Sequence, residues 1–137
     1  MSFTQGAASP SATDAVTILL VDDEQDVRTL LRFLIGRTGA PLEVVAEAAD
    51  GRSALEQWRA QRPDVIVLDE QMANLSGMEV ARQILAEDPA QTIVLYSAYL
   101  TPDLEDEASE LGVRLSVAKG DFNQLLDYLT DLARGRA

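Results

Sequence analysis

Val16-Thr17-Ile18-Leu19-Leu20-Val21-Asp22-Asp23-Glu24 is the stretch on which the fold turns. Its first six residues are β-prone and apolar on both faces, the pattern of a strand buried in a parallel sheet. They stop abruptly at three acids. Beyond these, Val27, Leu30, Leu31, Leu34 and Ile35 recur at one-sided helical spacing, so a helix follows the strand and packs its leucine stripe into the core. The same alternation repeats along the chain. A second strand runs from Leu42 to Ala46 and leads through Asp50-Gly51 into a helix through Leu55 and Trp58. A third strand, Asp64 to Leu68, precedes a helix opened by Ser76 and Glu79, which form a capping-box pair. Thr92 to Tyr96 reads as strand four, and Thr101-Pro102-Asp103 supplies a cap, a first-turn proline and an acidic first turn. Val113 to Ala118, interrupted by Arg114 and Ser116, suits an edge strand. Asp121 and Gln124 resemble a further capping box before the apolar face of Phe122, Leu125, Leu126 and Leu129.

Five strand–helix repeats specify an α/β fold, an open, doubly wound parallel sheet with helices on both faces. Right-handed crossovers in so short a chain favour the flavodoxin-like (βα)5 arrangement with strand order 2-1-3-4-5. At 137 residues the chain has room for one domain, over residues 15–137. Residues 1–14, mostly small and polar, read as a flexible leader with too little apolar surface to offset ordering. The N-terminus lacks the basic and apolar segments of a secretory signal, and no stretch reaches the length of a membrane span, so a cytoplasmic location is expected.

Composition narrows the chemistry. A formal net charge of −12, with no run of Lys or Arg, argues against nucleic-acid and anionic-membrane partners. With no cysteine there are no disulfides or thiolate sites, and with no histidine there is no Ser-His-Asp triad or histidine-ligated metal. What remains is carboxylate, hydroxyl and lysine chemistry, with or without an oxygen-seeking cation.

The informative polar residues lie where the apolar strands end: Asp22, Asp23 and Glu24 after the first, Asp69 and Glu70 after the third, Ser97 after the fourth, Lys119 after the fifth. In a parallel sheet these ends share one edge, and strands one and three flank the switch point where ligands bind. Singly, each residue has a plain explanation: a helix cap, a loop acid, a turn hydroxyl, a surface charge. Gathered in one crevice, the three aspartates raise the pKa of at least one of their number. Mg2+ relieves that repulsion with few protein ligands. An ionised Asp69 is then a competent nucleophile toward phosphorus, with Lys119 and the Ser97 hydroxyl placed for phosphoryl oxygens.

From about Val16 to Leu132 the sequence resembles the receiver domain of two-component response regulators, in the manner of stand-alone chemotaxis regulators. Ile18-Leu19-Leu20-Val21-Asp22-Asp23-Glu24 is similar to that family's first strand and acidic pair. Val65-Ile66-Val67-Leu68-Asp69, with Met72 and Gly77 downstream, is similar to its phosphoacceptor strand. Val94-Leu95-Tyr96-Ser97-Ala98 and Lys119 complete the set. The resemblance implies that Asp69 accepts a phosphoryl group from a histidine kinase or a histidine phosphotransfer protein. It implies that Asp23, Asp69 and the Gln71 carbonyl bind Mg2+, that Asp22 acts through bound water, and that a conformational change reaches a downstream protein target. A protein of this kind is not an enzyme beyond promoting its own phosphoryl transfer and slow dephosphorylation.

Three positions depart from the pattern: Ala73 for a proline, Gly120 for the proline after the lysine, and Ser116 for a switch aromatic. The last two bear on the aim of Lys119 and on the output route, which here is expected to pass through Ser97 and Tyr99. Other readings fit less well. An aspartate-nucleophile phosphohydrolase needs an acid where Gln71 stands, and a flavodoxin phosphate loop is incompatible with Asp22-Asp23-Glu24. The alternative is a degenerate receiver that binds partners without phosphorylation. The chain ends at Ala137, soon after the last helix, as in a stand-alone receiver or one cut from a longer protein.

Overall fold

The computed structural model describes residues 15–136; the leader expected over residues 1–14 lies outside them. Ten elements alternate: β1 (Val16–Val21), α1 (Gln25–Arg37), β2 (Leu42–Ala48), α2 (Gly51–Gln61), β3 (Val65–Asp69), α3 (Gly77–Glu87), β4 (Thr92–Ser97), α4 (Pro102–Leu111), β5 (Leu115–Ala118) and α5 (Phe122–Ala133). All strand pairs are parallel, in the order β2-β1-β3-β4-β5. This is the flavodoxin-like arrangement that the alternation implied. The three inner strands are nearly continuous apolar runs because both of their faces are covered.

Two apolar layers sandwich the sheet. Leu19, Val21, Ile66, Leu68, Ile93 and Leu95 face α2, α3 and α4, where Trp58, Val80 and Ile84 fill the layer. Ile18, Leu20, Val65, Val67, Val94 and Tyr96 face α1 and α5, against Leu31, Ile35, Leu125 and Leu129. The indole of Trp58 is fully buried and donates to Gln91 Oε1 at 2.9 Å, so its one polar atom is satisfied.

The helix starts follow the sequence. Ser76 and Glu79 form a complete capping box, and Thr101 accepts from the Leu104 N–H ahead of Pro102. Asp50 caps α2 through the Ser53 N–H. Asp121 caps α5 through the Gln124 N–H, but its own N–H donates to the Ala118 carbonyl, so only half of the expected box forms.

Two expectations need correction. Leu30 is not core: it is 41% exposed, because it lies about 100° round the helix from Leu31 and falls at the margin of the buried stripe. The strand limits also shift, β2 continuing to Ala48 and β5 starting only at Leu115. The N–H of Arg114 still donates to Ile93, so the chain joins the sheet before the strand proper begins.

Candidate functional site

Four strands deliver the residues at their ends to one edge. Asp69 is the final residue of β3 and Asp22 follows β1 directly; both are completely buried. Asp22 is locked on all sides. Its N–H donates to the Ala48 carbonyl at 3.1 Å, and its own carbonyl accepts from Arg28 Nη1 at 2.6 Å. Its carboxylate accepts the Glu24 N–H on Oδ1 at 2.8 Å and the Tyr96 hydroxyl on Oδ2. Neither Asp22 nor Asp23 is therefore a helix cap. The N-cap of α1 is Glu24, whose side chain makes no cap bond. Asp23 projects outward, and its carboxylate has no hydrogen-bond or ion-pair partner among the described residues.

Lys119 arrives from the end of β5. Its N–H donates to the Ser97 carbonyl at 2.8 Å, extending the sheet by one rung. Its Nζ lies 3.2 Å from Asp22 Oδ2, 3.4 Å from Asp69 Oδ2 and 3.3 Å from Glu24 Oε1. The peptide into Gly120 is trans, with Gly120 at φ 101 turning the chain, and the ammonium still enters the crevice. Ser97 is buried, but its hydroxyl donates to Gln71 Oε1 at 3.3 Å and accepts from the Tyr99 N–H. Gln71 closes this part of the site, with its N–H 3.3 Å from Asp69 Oδ1. The Tyr99 side chain points to solvent, 76% exposed.

Several carboxylates thus face one ammonium. Burial first, and the charge of Asp22 second, push the Asp69 carboxyl up to about 6 against the pull of Lys119. Burial pulls the Lys119 ammonium down, but the charges of Asp69 and Asp22 outweigh it and hold it raised. Burial, with the bond to Asp22, keeps the Tyr96 phenol well above its ordinary value, so it is a donor. Asp22, Asp23 and Glu24 can each present one carboxylate oxygen within 4.8 Å of the others, and Asp69 lies across Lys119 from Asp22. An all-oxygen, strongly anionic set with neither imidazole nor thiolate suits a hard, partly hydrated cation such as Mg2+.

The loop beyond Asp69 is pinned to the site. Gly77 packs so closely that a Cβ there would strike the Asp69 carbonyl oxygen and come within 2.9 Å of Glu70 Cα. The Gly77 N–H donates to the Glu70 carbonyl, and Glu70 Oε1 accepts the Met78 N–H at 2.8 Å.

The sequence reading passed over three participants: Glu24 as a partner of Lys119, Arg28 as the clamp on Asp22, and Tyr96. Glu24 is the N-cap of α1 and Arg28 stands on its first turns, and the apolar stripe of that helix does not say which polar groups their side chains reach. Tyr96 carried a signal, since a phenol inside a buried strand needs a partner for its hydroxyl.

Residues 18–130 match the family described as the response regulator receiver domain. The chemotaxis protein CheY of Listeria monocytogenes is 30% identical over 102 residues, 74% of this chain and 84% of that protein. Sporulation initiation phosphotransferase F of Bacillus subtilis is 30% identical over 111 residues, 80% of this chain and 87% of the relative. Among solved structures, a LuxR-family two-component response regulator from Aurantimonas sp. superposes with a TM-score of 0.81 at 32% identity, over 89% of this chain and 87% of that one. No described helix is long and apolar enough to cross a membrane.

Proposed function

The chain belongs to the response regulator receiver family and serves as a phosphoacceptor in two-component signalling, and from that premise we propose that Asp69 is its phosphorylation site. The observation that carries this reading is a fully buried carboxylate at a strand end, 3.4 Å from an ammonium and flanked by a second buried acid.

The donor is a phosphohistidine of a kinase or phosphotransfer protein. An Asp69 carboxylate oxygen bonds to phosphorus as the phosphorus–nitrogen bond breaks. The imidazole leaves with its electron pair, and the product is an aspartyl phosphate. Lys119, already between Asp22 and Asp69, neutralises charge on the phosphoryl oxygens. Ser97 exchanges its bond to Gln71 for one to a phosphoryl oxygen. Asp23, Asp69 and the Gln71 carbonyl would hold Mg2+, with Asp22 acting through bound water, and the cation would supply charge neutralisation at the phosphoryl oxygens. The chain turns over no substrate beyond its own phosphoryl group and signals by docking to a downstream protein.

Incubation with a small phosphodonor and Mg2+, followed by intact-mass spectrometry, tests the assignment. Wild type should gain one phosphoryl group and Asp69→Asn none. Equal labelling of the two would overturn it.

A further inference from the structure

Tyr96 spans the site from below. Its Cα pairs with Asp69 across the β3–β4 ladder, yet its hydroxyl passes β3 to reach Asp22 beyond the end of β1. One buried side chain thereby underlies both strands that carry the buried acids. Lys119 Nζ sits 5.5 Å from the centroid of the same ring. We propose that Tyr96 is a positioning residue of this site: its hydroxyl holds the Asp22 carboxylate, and its ring carries the Lys119 ammonium. The inference rests on the site reading above.

Packing does not require the hydroxyl. The layer around Tyr96 is formed by Ile18, Leu20, Val67 and Val94, and an apolar side chain would fill it. What the hydroxyl adds is a third donor, and the only uncharged side-chain one, to a carboxylate with no solvent exposure. Asp22 Oδ1 is served by the Glu24 N–H, while Oδ2 faces only Tyr96 and Lys119. Remove the phenol donor, and the whole charge of Oδ2 falls to Lys119, which is then drawn toward Asp22 and away from Asp69. A phenolic O–H on a buried carboxylate is a charge-assisted bond, short and directional, so it also sets the carboxylate plane. Gly120 adds to the need. It leaves the lysine at the start of a permissive turn, with Gly120 at a φ of 101 and open space where a Cβ would stand. The aim of Lys119 therefore comes from what its side chain rests on, and the aromatic face beneath it is one such support.

Partners that orient ligating groups typically change metal affinity by about 10–100-fold when removed. Tyr96→Phe keeps the ring and deletes the hydroxyl. Calorimetric titration with Mg2+ alone should show binding at least about tenfold weaker than wild type, with a retained fold by circular dichroism. A purely structural tyrosine would change the melting temperature and leave Mg2+ affinity unmoved, and equal affinities would overturn the inference. A second readout needs no change at Tyr96. Mg2+ should produce a tyrosine absorbance difference band in wild type and in the Tyr99→Phe/Tyr128→Phe double variant, because a cation drawing on Asp22 alters the hydrogen bond that Tyr96 donates. No band in that double variant overturns the proposal, even if Tyr96→Phe does not fold. Wild type that takes up no Mg2+ overturns the reading of the site together with this inference. Wild type that binds while Tyr96→Phe binds equally overturns the inference alone.

Discussion

Asp22 and Asp69 are both withdrawn from solvent beside a single lysine, an arrangement that leaves negative charge uncompensated inside the native fold. Unfolding disperses these acids, so a cation that binds them stabilises only the native state. At a free concentration a hundredfold above Kd the gain is about 2.7 kcal/mol. Thermal melting of wild type should therefore rise on addition of Mg2+, and Asp23→Ala, which removes one of the two exposed carboxylates of the Asp22/Asp23/Glu24 group, should suppress the rise. A wild-type midpoint indifferent to saturating Mg2+ would show that the acids do not act together. The residues at strand ends were legible in advance because element order alone sends every such end to one edge. The present partners of Ser97 and Tyr96 were not. Whether the Ser97 hydroxyl meets Gln71 or Asp69 depends on a rotamer, and the hydroxyl of Tyr96 reaches Asp22 only because the chain returns β1 two strands away.

The contacts between elements hold the strand ends in place. Arg28 and Arg32 of α1 reach across to Glu47 of β2, at 2.9 Å and 2.7 Å, and Arg28 also holds the Asp22 carbonyl. Partial burial works against the Glu47 charge, but the two arginines outweigh it and hold its carboxyl below the ordinary 4.5. A depressed native pKa contributes stability in full above the unfolded value and loses it as pH falls through the native one. At neutral pH, Glu47→Gln should be less stable by roughly 0.2–1 kcal/mol, the range of solvent-exposed pairs. The gap should close as acid is added below about 4.5 in chemical-denaturation series. A gap constant with pH would mean that the clamp carries no charge-dependent stability. Helix starts at Ser76 and Thr101 were readable from sequence because a cap joins a side chain to backbone three residues away. The exposure of Leu30 was not, since apolar spacing marks a stripe but leaves its margins to the packing of neighbours.

Across the whole molecule, the proposed route from phosphate to partner runs through the end of β4. Ser97 now ties Gln71 to the Tyr99 N–H, so drawing its hydroxyl toward a phosphoryl group on Asp69 releases both contacts at once. The displaced segment leads into the Thr101 cap and the acidic, exposed start of α4. Ser116 is only half-buried on β5 and has no ring to rotate. Backbone NMR shifts with and without beryllium fluoride should change chiefly over residues 97–105. A perturbation centred on Ser116, with the Tyr99 loop unmoved, would redirect the output route. By itself, the sequence determined the element order, the sheet topology and the edge at which the acids, hydroxyl and lysine assemble. Those follow from hydrophobic period, local caps and the handedness of crossovers, which act over short spans or allow few alternatives. Only the tertiary structure decided that Glu24 shares Lys119, that Arg28 closes on Asp22, and that Tyr96 underlies both. The first and the last join side chains distant in the chain, the second joins a side chain to backbone across the β1–α1 turn, and none is written in the spacing of residues along one element, because each depends on how elements pack and on rotamer.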